Sequence, residues 1–297
     1  MPCNSPLASP AATIALLRRW GLYTKKSLGQ HFLVDDGVVG KIIRLAALDN
    51  NLPVVEIGTG IGTLTEALLI TGAHVVGIEI DSRMKEILED ISNRYPGQFS
   101  HLLTDALLLE PTELPEQFDL VANLPYSVAA TIILDFFRRF EGLHAATVMV
   151  QREVAERIMA VPGSKAYGAY TVKLAFLAEV KSSFKVSHTS FLPPPRVDST
   201  VIRLQRLADT DSSESLVLHQ WSKVQSLIDA AFAERRKTIF NSLRSALAAS
   251  GITGNQIKPV LESADIDGRR RAESLNLDEF KRLLAAFDES TGFSTDR

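Results

Sequence analysis

The sequence predicts an α/β fold, a doubly wound and mainly parallel sheet of about seven strands followed by a small all-helical C-terminal domain. Three observations predict it. Short β-branched runs alternate with segments of helical periodicity from Asp36 to Leu204. A glycine-rich turn, Gly58 to Gly62, joins the first of these strands to its helix. Beyond Arg206 only helical periodicity remains.

The elements follow in order. Asp36 to Ala47 has apolar residues at helical spacing, and Pro53 to Ile57 is a short buried strand. A helix over Thr63 to Leu69 and a strand over His74 to Ile80 complete a strand-loop-helix-strand unit, which requires parallel strands. A helix from Ser82, a strand at His101 to Thr104, a strand over Phe118 to Asn123 and a helix over Ser127 to Phe137 repeat the alternation. Ala145 to Gln151 is a strand and Arg152 to Met159 a helix, and strands over Tyr170 to Phe176 and Ser199 to Leu204 supply a late antiparallel part. The polar stretch Leu207 to Ser215 reads as a linker. The chain thus divides into a leader (1–24), a sheet domain (25–206) and a helical domain (216–297).

Composition narrows the classes. A chain of 297 residues with 45% hydrophobic and 23% charged residues can bury a sizeable core. No apolar run has the length of a membrane span, so no membrane partner is expected. The single cysteine, Cys3, excludes an intrachain disulfide and points to a reducing compartment, the cytoplasm. Met1 to Val34 carries Arg18, Arg19, Lys25 and Lys26 and no acid, as an organellar transit peptide would. Its apolar ATIALL precedes the charges, which rules out a secretory signal. The net charge of −3 weighs against a nucleic-acid partner, but Arg152 to Arg206 holds nine Lys or Arg against four Asp or Glu. A basic region inside an acidic whole is compatible with both a solvated surface and a polyanion partner.

The glycines of EIGTGIGTL, Glu56 to Leu64, fall where backbone must approach a ligand closely and a helix N-terminus faces it. Their G-x-G-x-G spacing departs from the dinucleotide fingerprint, so pyrophosphate is not the obvious ligand, and a tight strand-helix turn is the alternative reading. Glu79 stands at the end of the next strand, about twenty residues past the first glycine, where a carboxylate can bridge ribose hydroxyls. Asp105 ends the third strand, where it can accept from an adenine amino group or cap a turn. Gly58, Glu79, Asp105 and Asn123 all fall at carboxyl ends of successive strands, the ligand-binding edge of open α/β sheets. An adenosine ligand with an amino-acid tail, S-adenosylmethionine, fits this set better than NAD.

Asn123-Leu124-Pro125-Tyr126 follows a strand directly. Methylating an exocyclic amine requires recovering a nitrogen lone pair delocalised into the base. The Asn123 side-chain oxygen and the Leu124 carbonyl can accept the two amine protons, Pro125 stiffens the presentation, and Tyr126 offers a π-face for the base. A plain Asn-x-Pro turn with a packed tyrosine is the alternative. No metal-ligand cluster is expected.

Together these segments resemble the ribosomal RNA adenine N6-dimethyltransferase family. The matching stretches are KKSLGQHFLVD (Lys25 to Asp35), VVEIGTGIGTLT (Val54 to Thr65), IEID (Ile78 to Asp81), NLPY (Asn123 to Tyr126), VQREVAERI (Val150 to Ile158) and SKAYGAYTV (Ser164 to Val172). FLPPPRVDSTV (Phe191 to Val201), FAERRKTIFNSLR (Phe232 to Arg244) and RRAESLNLDEF (Arg270 to Phe280) follow. The resemblance implies a Rossmann-like class I methyltransferase sheet and methyl transfer to N6 of two adjacent adenines near the 3′ end of small-subunit (16S) RNA. It also implies an immature small ribosomal subunit as substrate, acted on by a monomer.

By the same resemblance His31 and Leu33 enclose the cofactor, Gly58 and Gly60 lie under it, Glu79 takes the ribose, Asp105 the adenine and Asn123 the transfer site. Arg235, Arg236 and Lys237 are consecutive and expected to splay around a helix, as RNA phosphate contacts or as a solvated face. Pro193 to Pro195 read as a rigid extended crossover near the site. Three rivals remain at this point. They are a large-subunit adenine methyltransferase of the antibiotic-resistance type, a nicotinamide-dependent oxidoreductase, which leaves NLPY without a role, and a binding protein that has lost its chemistry.

Overall fold

The computed structural model describes residues 4–22, 31–49, 51–207 and 220–291. Cys3, Lys25 to Gln30 and most of the linker Leu207 to Ser215 lie outside the described residues. The chain divides into two compact units. One comprises Met1–Ala155 with Glu179–Arg206, the other Glu156–Ala178 with Leu207–Arg297.

The first unit is built on a seven-stranded sheet. Its strands are β2 (Val54–Ile57), β3 (Val75–Glu79), β4 (Phe99–Leu103), β5 (Phe118–Asn123), β6 (Leu143–Gln151), β7 (Ala178–Val186) and β9 (Ser199–Arg206), in the spatial order β4-β3-β2-β5-β6-β9-β7. β2 pairs in parallel with both β3 and β5, and β6 pairs antiparallel with β9. The order reverses at β2 and β5, the position where doubly wound sheets open a crevice. β2 and all but the last residue of β5 are buried, as expected of central strands covered on both faces.

The covering helices are α2 (Asp36–Ala46), α3 (Thr63–Ile70), α4 (Lys85–Arg94) and α5 (Ala129–Arg139). Ile42, Leu68, Leu88 and Ile91 are fully buried in one cluster, and Phe118, Phe136 and Phe137 are fully buried on elements β5 and α5. A separate two-residue strand, β1 (Phe32–Leu33), pairs antiparallel with β8 (Phe191–Leu192).

Three expectations need correction. The leader (1–24) is not separate from the sheet domain: it forms α1 (Pro10–Arg19), with Ser9 as N-cap, and buries Thr13 and Leu17 in the first unit. The backbone N–H groups of Asn4 and Ser5 donate to the Asp36 carboxylate at 2.9 and 2.8 Å, fastening the segment to the start of α2. Tyr170 to Phe176 is not a strand. It lies in α7 (Ala169–Ala175), whose Lys173 pairs with Asp229 at 2.7 Å and whose Thr171 hydroxyl donates to the Arg157 carbonyl. The seventh strand is instead β7, whose exposed middle carries Lys181 and Lys185. It is an edge strand, and lysines there discourage pairing with another chain.

The second unit is helical, with α6 (Arg152–Ile158) leading into it, then α7, α8 (Trp221–Phe232), α9 (Ile239–Leu247), α10 (Gly254–Ser263) and α11 (Leu277–Thr291). Phe232 stacks on Phe280 with ring centroids 5.8 Å apart and also meets Tyr167. The division at residue 206 is therefore too simple, because Glu156–Ala178 belongs with the helices and the sheet unit resumes at Glu179. No helix among the described residues is long and apolar enough to cross a membrane.

Candidate active site

The carboxyl ends of β2, β3, β4 and β5 open onto one cavity of about 230 Å³. His31, Leu33, Gly58, Gly60, Glu79, Asp105 and Asn123 to Tyr126 all line it. Residues scattered over nearly a hundred positions of sequence are thus brought together by the sheet topology.

The glycine loop owes its shape to backbone conformations closed to other residues. Gly58, Gly60 and Gly62 have φ of 77°, 54° and 87°. A Cβ on Gly58 would lie 3.7 Å from both the Asn123 carbonyl oxygen and the Pro125 ring, so the loop and NLPY are packed directly on each other. Glu79 ties the loop down: one carboxylate oxygen accepts from the Gly60 N–H at 2.7 Å, the other from the Asp81 N–H at 2.9 Å. Burial pushes its pKa up, opposed by these backbone donors. Asp105 accepts from the Leu107 N–H at 3.0 Å, so it caps a short turn and lines the cavity at once.

Asn123 ends β5, and its side-chain NH2 donates to the His31 carbonyl at 3.3 Å. That bond orients the amide so that its oxygen is the end left to accept. Leu124 is anchored by its N–H to the Met149 carbonyl. The Tyr126 hydroxyl shares a 2.8 Å hydrogen bond with Ser199, and one ring face stacks on His31 at 5.6 Å between centroids. His31 Nδ1 lies 2.7 Å from the Pro193 carbonyl, so Nδ1 carries the proton and donates. The proline run thereby holds the histidine that backs the tyrosine.

This constellation can hold an adenosine-bearing ligand and offer acceptors to an amine. The family model for ribosomal RNA adenine dimethylase matches residues 21–283. The chain belongs to that family. Curated relatives named ribosomal RNA small subunit methyltransferase A include those of Enterococcus faecalis, 36% identical over 96% of this chain and 97% of the relative. That of Shouchella clausii is 39% identical, with the same coverage. Among solved structures, a dimethyladenosine transferase from Plasmodium falciparum superposes with a TM-score of 0.75 at 25% identity, covering 88% of this chain and 98% of that one. The 23S rRNA methyltransferase ErmE gives 0.63 at 28%, covering 86% and 99%.

Several residues in the cavity wall and behind it escape a motif reading. Glu56 is fully buried on β2, accepts from the Thr65 hydroxyl at 2.6 Å, and has its pKa raised to about 8 by burial, with nearby Glu79 adding to the shift. A carboxylate inside the apolar run VVEI was the available signal. Thr59 and Thr63 carry buried hydroxyls with no partner among the described residues. Ser199, entirely buried, gave no signal, since nothing in one sequence pairs it with Tyr126.

The basic triplet of the dimethylase's helical unit differs from expectation. Arg235, Arg236 and Lys237 lie in the turn between α8 and α9, not on a helix. Arg235 donates to the carbonyls of Lys165 and Tyr167 at 2.7 and 3.1 Å and pairs with Glu273. The Gly163 N–H and the Tyr167 hydroxyl bond the carbonyls of Glu273 and Leu275. Arg235 is therefore a clamp for this loop. Lys237 pairs with Glu234, and Arg236 is exposed with no ion pair among the described residues.

Proposed function

We propose that this chain transfers methyl groups from S-adenosylmethionine to N6 of two adjacent adenines near the 3′ end of small-subunit (16S) ribosomal RNA. It works as a cytoplasmic monomer on an immature small ribosomal subunit. The observation that carries the reading is the packing of Asn123 to Tyr126 against Gly58, in the cavity that also holds Glu79 and Asp105. The curated relatives, whose names specify the small subunit, favour that substrate over the large-subunit RNA named for ErmE.

The residues present fit the cofactor: the loop at Gly58 and Gly60 lines the cavity with bare backbone, and the Thr59 and Thr63 hydroxyls lack partners among the described residues. When bound, the cofactor supplies an electrophilic methyl group on a sulfonium. Glu79, already fixed by two backbone donors, retains lone pairs for ribose hydroxyls, and Asp105 accepts from the adenine amino group. The target adenine leaves its stack and enters the cavity, where it stacks on the Tyr126 face not covered by His31. The Asn123 amide oxygen and the Leu124 carbonyl accept its two N6 protons, favouring a tetrahedral nitrogen aimed at the methyl group. The methylated amine is acidic enough to lose its proton to water, so no side chain serves as general base. On the helical unit Arg236 and Lys237 meet RNA phosphates, and Arg235 supports the loop beneath them.

The deciding experiment is single-turnover methylation with isotopically labelled S-adenosylmethionine. Immature small subunits and large-subunit RNA serve as separate acceptors. Label in two adjacent adenines of the small-subunit RNA is expected. Label only in large-subunit RNA, or in neither, overturns the reading.

A further inference from the structure

The basic N-terminal stretch has no role in the chemistry above. Residues 1–48 hold six Lys or Arg against two Asp, a net +4 within a chain of net −3. Both acids are committed locally. Asp36 accepts the Asn4 and Ser5 N–H groups, and Asp35 accepts the Val38 N–H at the start of α2 and the Ser190 hydroxyl at 2.9 Å. Their negative charge is met by the α2 N-terminus and these donors.

The described cations are left outward. Arg18 and Arg19 are exposed on the last turn of α1, with the Arg19 guanidinium 5.5 Å from the Trp20 ring. Lys41 and Arg44 are exposed three residues apart, on the outer stripe of α2 opposite the buried Val38, Val39 and Ile42. None of the four enters an ion pair among the described residues, whereas Lys85, Arg94, Lys258 and Arg269 each face a carboxylate. Burial of Thr13 and Leu17 makes α1 part of the sheet unit, and twelve residues after Arg19 the chain reaches His31 in the cavity wall.

Exposed, unpaired cations on the unit that carries the cavity, in a chain of net negative charge, attract a polyanion, and the polyanion this unit meets is the one that delivers the substrate base. We infer that Arg18, Arg19, Lys41 and Arg44 contact ribosomal RNA phosphates, giving the sheet unit a backbone-binding surface of its own. This rests on the RNA methyltransferase reading above.

The test uses the full chain and immature small subunits, measuring affinity at several salt concentrations. Two paired variants, Arg18→Gln with Arg19→Gln and Lys41→Gln with Arg44→Gln, are compared with the parent and with the four-fold combination. Each lost contact should lower the log–log salt slope by about 0.7–0.9, while S-adenosylmethionine affinity by calorimetry stays at the parent value. Exchanging Arg for Lys and Lys for Arg at the same positions should keep the slope. The paired variants carry the test even where the four-fold variant does not fold. A parent-like slope in both pairs overturns the inference while leaving the methyltransferase reading intact, provided the parent labels the small-subunit RNA. Unchanged RNA binding with lost adhesion to phosphatidylserine vesicles would assign the surface to a membrane and overturn it equally. A parent that labels no small-subunit RNA removes both proposals.

Discussion

The strand-end edge of the sheet unit and the basic turn of the helical unit were both marked in the sequence by short motifs, and only one of them kept its expected form. At the edge, Gly58, Glu79, Asp105 and Asn123 meet in one cavity because parallel strands align their carboxyl ends. In the turn, Arg235, Arg236 and Lys237 are adjacent in sequence and separate in role. One is bonded to two backbone carbonyls, one is exposed, and one is paired with Glu234. A motif whose chemistry follows from topology is legible, and one whose chemistry depends on which partners fold beside it is not.

The largest effect that would sharpen this contrast is expected at Asn123. Asn123→Ala removes an acceptor that matters most as the target amine becomes tetrahedral. The single-turnover rate should fall on the order of 100-fold while subunit affinity stays within about two-fold. Equal losses in both would make Asn123 a binding residue. Glu79→Ala should weaken S-adenosylmethionine binding by about 1.5–3 kcal/mol in calorimetry. It also strips the Gly60 and Asp81 N–H groups of their acceptor, so the melting temperature should drop too. A folded variant with unchanged affinity would take Glu79 out of the site.

Glu56 gives the edge a pH signature. Its value of about 8 in the folded chain exceeds the 4.5 of a free carboxyl, so folding takes up a proton between those limits. Its contribution to stability therefore falls as pH rises from about 4.5 to about 8 and is level above that. Glu56→Gln keeps an acceptor for Thr65 and should flatten this slope and raise stability near neutral pH, read from denaturant midpoints at pH 5, 7 and 9. A slope equal to the parent's would place the titration elsewhere.

Within the turn, Arg235→Ala should cost about 1 kcal/mol of stability, since its bonds are half exposed, with little change in the salt slope of RNA binding. Arg236→Ala should do the reverse and lower that slope by about one. The opposite assignment would restore the triplet to a uniform phosphate contact. The smallest effect is expected for Tyr126→Phe, which keeps the π-face and loses the bond to Ser199, at about 0.5–1.5 kcal/mol of stability with methylation retained.

The alternation of strands and helices was legible because buried parallel strands are mostly apolar, as β2 and β5 are apart from Glu56, Asp119 and Asn123. Two strands of sequence pattern misled for physical reasons. Tyr170, Val172, Leu174 and Phe176 alternate with a period of two, yet Gly168 opens a helix there and packing on α8 decides the outcome over local periodicity. β7 does alternate, with apolar Ala178, Val180, Phe184 and Val186, but its lysine-bearing, largely exposed edge pattern was overshadowed by the more apolar Tyr170 to Phe176 beside it. The leader was set apart from the sheet domain by its acid-free charge pattern alone. Its attachment runs through backbone N–H groups on Asp36, which no composition reveals. Within the site, strand-end position identified the ligand-facing residues, while the supports Glu56 and Ser199 depend on pairings across the fold.

The chain passes between the two units three times, at Ala155, Ala178 and Arg206. A helical appendage added to the end of an older enzyme would need one crossing. Here the buried Tyr167, Val172 and Leu174 are supplied from between the strands of the sheet unit. Cutting after Arg206 would leave those side chains without the helices that cover them, so the truncated protein should aggregate. Exchange of the helical unit between relatives would have to move both pieces together, which makes the pair inheritable only as a whole.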